Sequence, residues 1–108
     1  MYRKLGNVGT KLLLENDRVA IWELRLAPGE KERVHEHKRD YVMVQITGDR
    51  VAADFEPDCA GTYAPYAGTR YEAEVTLGQV FYASKGGIEA AVNTGDQPFF
   101  EIIIELKD

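Results

Sequence analysis

The sequence predicts an all-β fold, a sandwich or barrel, and three observations carry that expectation. Short alternating or apolar runs follow one another along the chain, turn residues separate them at regular intervals, and no amphipathic stretch with a 3.6-residue period exceeds about two turns. Eight strand-like runs in 108 residues suit a sheet that curls to bury its own edges, with helices minor.

Taken in order, the predicted strands are Lys11–Leu14, Arg18–Leu26, Tyr41–Thr47, Arg50–Phe55, Arg70–Thr76, Val80–Ala83, Ile88–Asn93 and Phe99–Leu106. Turn chemistry separates them at Glu15-Asn16-Asp17, Ala27-Pro28-Gly29, Thr47-Gly48-Asp49, Leu77-Gly78 and Thr94-Gly95-Asp96. In the second strand Trp22, Leu24 and Leu26 share a face and Glu23 and Arg25 share the other, so Trp22 reads as core packing. In the last strand Phe100, Ile102, Ile104 and Leu106 read as the core face, with Glu101 and Glu105 on the wet or paired side. One segment breaks the rhythm: residues 56–69 contain Pro57, Gly61, Pro65 and Gly68 without an apolar period, and read as a long hairpin loop carrying Tyr63 and Tyr66. That loop is either a lid over a barrel mouth or a dimer contact, the second being favoured because aromatic residues are enriched at interfaces.

Length and composition bound the function. Residues 1–108 are one domain's worth, and no repeat of 20–50 residues indicates a solenoid or propeller. A net charge of −5, with the basic residues scattered, opposes a nucleic-acid partner. No run approaches the roughly 18 apolar residues that span a bilayer, and the segment from Met1 to Gly6 lacks the apolar centre of a signal peptide. A cytoplasmic protein without membrane partners is expected. The single cysteine, Cys59, has no second thiol and reads as a loop residue.

The chemistry-bearing feature is His35-Glu36-His37. Side chains two apart on an extended segment point the same way, so both imidazoles can bind one ion; surrounded by Lys31, Glu32, Arg33, Lys38, Arg39 and Asp40, they can equally be two surface histidines. Imidazole suits iron, manganese, nickel, copper or zinc, and the pair does not choose among them.

The wider spacing resembles a known family. Gly29, five residues, His35-Glu36-His37, three residues, Tyr41, six residues and Gly48 matches the first cupin motif, G(X)5HXH(X)3-4E(X)6G. Gly78, five residues, Ser84-Lys85-Gly86, two residues, Glu89, three residues and Asn93 matches the second, G(X)5PXG(X)2H(X)3N. The motifs lie at 29–48 and 78–93, and with Asp40–Val44 and the last strand the chain is most similar to small single-domain cupins, including those assigned to β-alanine degradation. The resemblance implies a double-stranded β-helix, a jelly-roll barrel, with a mononuclear metal inside and a homodimer as the commonest assembly.

Three slots depart from the family pattern: Tyr41 stands for the motif glutamate, Ser84 for the proline and Glu89 for the third histidine, and a shift of one residue would place Ala90 in that last slot. With Glu89 aligned, the resemblance implies His35, His37 and Glu89 as ligands of one divalent transition metal, a two-histidine, one-carboxylate set. Tyr41, Met43 and Gln45 would then face the interior. Gln45 is a fourth ligand, a hydrogen-bond partner for a substrate or a satisfied polar residue; Tyr41 is a proton donor, a clamp on an oxyanion or packing. The expected function is metal-dependent chemistry, dioxygenase or isomerase/lyase in type, on a small polar organic molecule. The rivals are a non-catalytic sensor with a degenerate metal site, and a metal-independent epimerase with His35 or His37 as general base.

Overall fold

A computed structural model describes residues 4–108; Met1–Arg3, part of the segment read as lacking a signal peptide, lie outside the described residues. Nine strands follow in order: β1 (Lys11–Glu15), β2 (Val19–Leu26), β3 (His35–Glu36), β4 (Tyr41–Thr47), β5 (Arg50–Phe55), β6 (Arg70–Glu74), β7 (Val80–Ala83), β8 (Ile88–Asn93) and β9 (Phe99–Leu106). A 3₁₀ turn, Gly61–Tyr66, interrupts the segment expected to be loop alone. The strands form two antiparallel sheets, β1-β2-β9-β4-β7 and β3-β8-β5-β6. No helix among the described residues is long and apolar enough to cross a membrane.

Most predicted strand boundaries match. The omission is β3, two residues long, which has no room for an alternating signal and sits among charged neighbours. Its register with β8 places His35 opposite Glu89 and Glu36 opposite Ile88.

The inner face holds the apolar cluster of Leu24, Leu26, Tyr41, Ala83, Phe99 and Ile103, with Trp22 and Met43 packed against it. Trp22 is partly buried, as its shared face with Leu24 and Leu26 requires, and its indole N–H donates to Glu105 Oε1 at 2.8 Å. The reading of β9 is corrected. Phe99, Glu101, Ile103 and Glu105 are the buried, inward set, while Phe100, Ile102, Ile104 and Leu106 are half-buried on the outer face. Register explains this: Leu24 pairs with Glu101 and Leu26 with Phe99, so the face of β2 that turns inward carries the glutamates of β9 with it. The outer face is an apolar band, because Ile104 aligns with Ile21 and Val42, and Ile102 with Val44. Both alternating sets of β9 are rich in apolar residues, so alternation alone identifies two faces without telling which is inside.

Cys59, expected in a loop, is buried in the connection between β5 and the 3₁₀ turn.

Candidate metal site

The site is assembled by short-range backbone geometry. β3 pairs with β8 and brings His35 beside Glu89. The chain then continues extended past β3, where His37 N–H donates to Gly87 O at 2.8 Å and Gly86 N–H donates to His37 O at 2.8 Å. The glycines of the second motif thus hold the backbone of the first. At Asn93, the side-chain amide donates to Leu26 O at 3.0 Å and Gln97 O at 2.8 Å, tying the end of β8 to β2.

His35 and His37 are buried, 2% and 1% exposed, so they are not the pair of surface histidines that their charged neighbours suggest. Their Nε2 atoms lie 2.9 Å apart, and Glu89 Oε1 lies 3.3 Å from His37 Nε2 and 3.8 Å from His35 Nε2. These three donor atoms form a group that could hold a metal ion. The spacing fits one: ligand bonds of about 2.0–2.2 Å put neighbouring donors roughly 2.9 Å apart at a right angle and about 3.4 Å apart at the tetrahedral angle. The register of β8 also resolves which residue fills the third-histidine slot. Glu89 pairs with His35 and lines the interior, whereas Ala90 pairs with Asp54 on the opposite face.

Charge in this group is strongly coupled. Burial pushes the Glu89 carboxyl up, but the two imidazoles beside it overcome that and hold it down at about 2. Burial lowers His35, yet the neighbouring Glu89 and Glu32 carboxylates leave it raised overall; in His37 burial wins and the net shift is downward. The group therefore offers a carboxylate and at least one neutral imidazole, the protonation state in which these side chains ligate.

Behind the donors stand two supports. Glu32 Oε1 lies 3.2 Å from His35 Nδ1 and accepts a hydrogen bond from Ala91 N–H at 3.0 Å. Burial pushes the Glu32 carboxyl up to about 7. Tyr41 stacks on the His37 ring, centroids 3.7 Å apart and planes at 11°.

The donors open into a cavity of about 260 Å³ between the two sheets. Gln45, Glu101, Glu32 and Glu89 line it together with Phe55, Tyr63, Tyr66, Tyr71, Phe81 and Phe99. Gln45 Oε1 accepts a hydrogen bond from Thr76 N–H at 3.2 Å. Burial, reinforced by Glu89 and Glu32, pushes the Glu101 carboxyl up to about 8. An antiparallel barrel with one histidine on its third strand, a second just past it and a carboxylate on its eighth has a recognisable architecture. This is the cupin fold.

A solved cupin domain from Bordetella pertussis Tohama I is 25% identical to this chain, covers 100% of it and 99% of its own length, and superposes with a TM-score of 0.76. Enzymes share the fold as well. A DMSP lyase from Ruegeria pomeroyi DSS-3 is 16% identical over 86% of this chain and 40% of its own, with a TM-score of 0.59. An oxalate oxidase, solved in complex with the substrate analogue glycolate, is 17% identical over 82% of this chain and 42% of its own, with a TM-score of 0.61. No protein-family model matches the sequence, and no curated protein matches it.

Of the residues singled out in the sequence, the cupin barrel brings His35, His37 and Glu89 together and places Gln45 on the cavity wall. Tyr41 lies behind His37 and is absent from the lining. Tyr63 and Tyr66 do line the cavity, stacked on Phe55 at 5.2 and 5.9 Å between ring centroids. Two cavity carboxyls carry no signal in the sequence pattern: Glu32, which sits in a run of charges, and Glu101, which alternates with the more apolar set of β9. The signal that would have found Glu101 is its register opposite Leu24, a residue whose inward direction was legible.

Proposed function

We propose that this cupin holds one divalent transition metal on His35, His37 and Glu89 and uses it as an enzyme acting on a small polar organic molecule. The observation that supports the reading most is the convergence of two imidazole nitrogens and a carboxylate oxygen on one point of a buried wall, facing a cavity. Such an ion would supply Lewis-acid polarisation of a bound oxygen, and a three-ligand set leaves positions for water or substrate.

The chain's own residues do the rest. Glu32 sets a carboxyl 3.2 Å behind His35 Nδ1, and the Tyr41 ring stacks on His37. Phe55, Tyr63 and Tyr66 form an aromatic wall, and Gln45 and Glu101 supply polar contacts on the facing sheet. Two structural neighbours, the lyase and the oxidase, are enzymes that act on small organic molecules, which supports catalysis without choosing between oxidative and elimination chemistry.

A second reading draws support from Tyr41. The residue in the slot of the family glutamate stacks on a ligand instead of joining it, leaving one protein ligand fewer than the usual set. That favours a binding or sensor protein with a weakened ion site. Elemental analysis of untagged protein tests both. About one equivalent of a transition metal, lost in His35→Ala and reduced in Glu89→Ala, is the expected result. Protein that is folded, metal-free and cannot be reconstituted would overturn the metalloenzyme reading in favour of the second.

A further inference from the structure

Glu101 is the least explained side chain in the barrel. It is 7% exposed, lines the cavity, and has no hydrogen bond or ion pair among the described residues. Its neighbour across the β4–β9 ladder is Gln45, 5% exposed, also lining the cavity. Thr76 N–H occupies Gln45 Oε1, while the Gln45 side-chain N–H₂ makes no hydrogen bond among the described residues. Buried polar groups are nearly always partnered, and an unpartnered one that faces a cavity marks where a partner binds.

The rest of the wall narrows the chemistry of that partner. The cavity lining contains neither lysine nor arginine; its basic side chains are His35 and His37, both beside Glu89, and its carboxyls are Glu32, Glu89 and Glu101. Wherever Glu101 is ionised, an anionic group beside it would meet like charge. A cation there would meet an acidic oxygen in a cavity that Phe55, Tyr63, Tyr66, Tyr71, Phe81 and Phe99 also line. Size sets a further bound: an apolar cavity of about 150 Å³ accepts benzene, so one of about 260 Å³ accepts a single ring with a short polar arm.

We propose that Glu101, with Gln45 beside it, is the specificity-determining group for the organic ligand, and that it selects a small cyclic amine over the matching carboxylate. The ammonium donates to the Glu101 carboxylate, the ring lies against the aromatic wall, and Gln45 donates to any neighbouring oxygen of the ligand. This rests on the cavity being the organic-ligand site of the proposed function, and it does not require the metal. Burial beside Glu89 and Glu32 disfavours a charged Glu101 in the empty cavity, and an arriving ammonium supplies the missing counter-charge.

The test is calorimetric titration of chelator-treated protein with three probes of one shape: benzylamine, benzyl alcohol and benzoate. Benzylamine is expected to bind roughly ten-fold or more tighter than benzoate, with the alcohol between them. In Glu101→Gln the amine preference is expected to fall to within about three-fold while the alcohol is little affected. Benzoate binding as tightly as the amine, an unchanged preference in Glu101→Gln, or no binding by any probe overturns the inference. The wild-type ranking is decisive even if the variant does not fold. Metal content measured on the same preparations before chelation separates the two ideas. Protein that carries metal but shows no amine preference removes this inference alone, and metal-free protein with the preference removes the metal reading alone.

Discussion

His35 turns its Nε2 toward the cavity while Glu32 stands behind its other ring nitrogen, at 3.2 Å, anchored in turn by the Ala91 N–H. The contact is electrostatic, since His35 Nδ1 makes no hydrogen bond among the described residues, and a carboxylate beside a ligating imidazole raises its basicity; loss of such a group typically costs about 10–100-fold in metal affinity. Glu32→Gln is accordingly expected to weaken metal binding by that order in a competition titration against a chromophoric chelator, with the melting temperature of the metal-free protein little changed. Tyr41 makes the opposite case. Its hydroxyl is buried and has no hydrogen-bond partner among the described residues, and burial drives the phenol strongly upward. An unpaired buried hydroxyl costs about 1–3 kcal/mol, so Tyr41→Phe, which keeps the ring on His37, is expected to melt no lower than the wild type and to retain metal. A large loss of bound metal or stability in Tyr41→Phe would show that the hydroxyl has a partner in solution. The histidine pair was legible because spacing and side-chain direction suffice to read it. Glu32 was not, because a carboxylate in the run Lys31–Asp40 looks like any solvated charge until β3 pairs with β8 and buries its side.

At the scale of elements, strand existence followed from turn chemistry and apolar runs, and β4, β5, β7, β8 and β9 match their expected bounds. The face of β9 did not follow, because direction within a barrel is a property of register and not of one strand's pattern. The 3₁₀ turn at Gly61–Tyr66 was also hidden, since its stabilising contacts are distant in sequence. Thr62 Oγ1 accepts a hydrogen bond from Ser84 N–H at 2.8 Å, and Ala60 N–H donates to Gly86 O at 2.9 Å. Gly61 is the tight point: its φ is +75°, and a Cβ there would lie 2.3 Å from Lys85 O. Gly68 has nearly the same φ, +76°, but the nearest atom to its Cβ position is Pro57 Cα at 3.9 Å. Gly68→Ala therefore meets backbone strain alone, about 1 kcal/mol, whereas Gly61→Ala adds a clash with main chain and should cost about 2–4 kcal/mol. Thermal melts should separate them clearly, Gly61→Ala falling roughly 5–20 °C further. Because Tyr63 rides on this turn, Gly61→Ala should also weaken binding of aromatic probes, readable by titration.

The molecule as a whole places its unusual charges inside. Glu32, Glu89 and Glu101 line the cavity and Glu105 is buried beside Trp22, whereas Asp54, Arg70 and Lys31 pair with one another near the surface. Buried carboxyls make folding stability depend on pH, with a sign that each shift decides. Glu101 moves from an ordinary 4.5 up to about 8, so between those values the folded protein holds a proton that the unfolded chain has released. Its contribution is present below about pH 4.5 and is lost as pH rises through about 8. Glu32, raised to about 7, and His35, also raised, act with the same sign. Glu89 is lowered to about 2, so its stabilisation is complete above pH 4.5 and flat thereafter, and lowered His37 favours the fold only as pH rises toward 6.5. Chelator-treated protein is therefore expected to lose stability, on the order of a few kcal/mol, from pH 5.5 to 8.5 in urea titrations. Both carboxyls are raised by burial, Glu101 further than Glu32, so the Glu101 contribution extends to the higher pH. Glu101→Gln should make the fall shallower throughout, from about pH 5 to 8, with Glu32 and His35 supplying what remains at the lower end. An unchanged slope in Glu101→Gln would mean that Glu101 is ionised and solvated at neutral pH, and that the acidic wall of the cavity carries full charge before any ligand arrives.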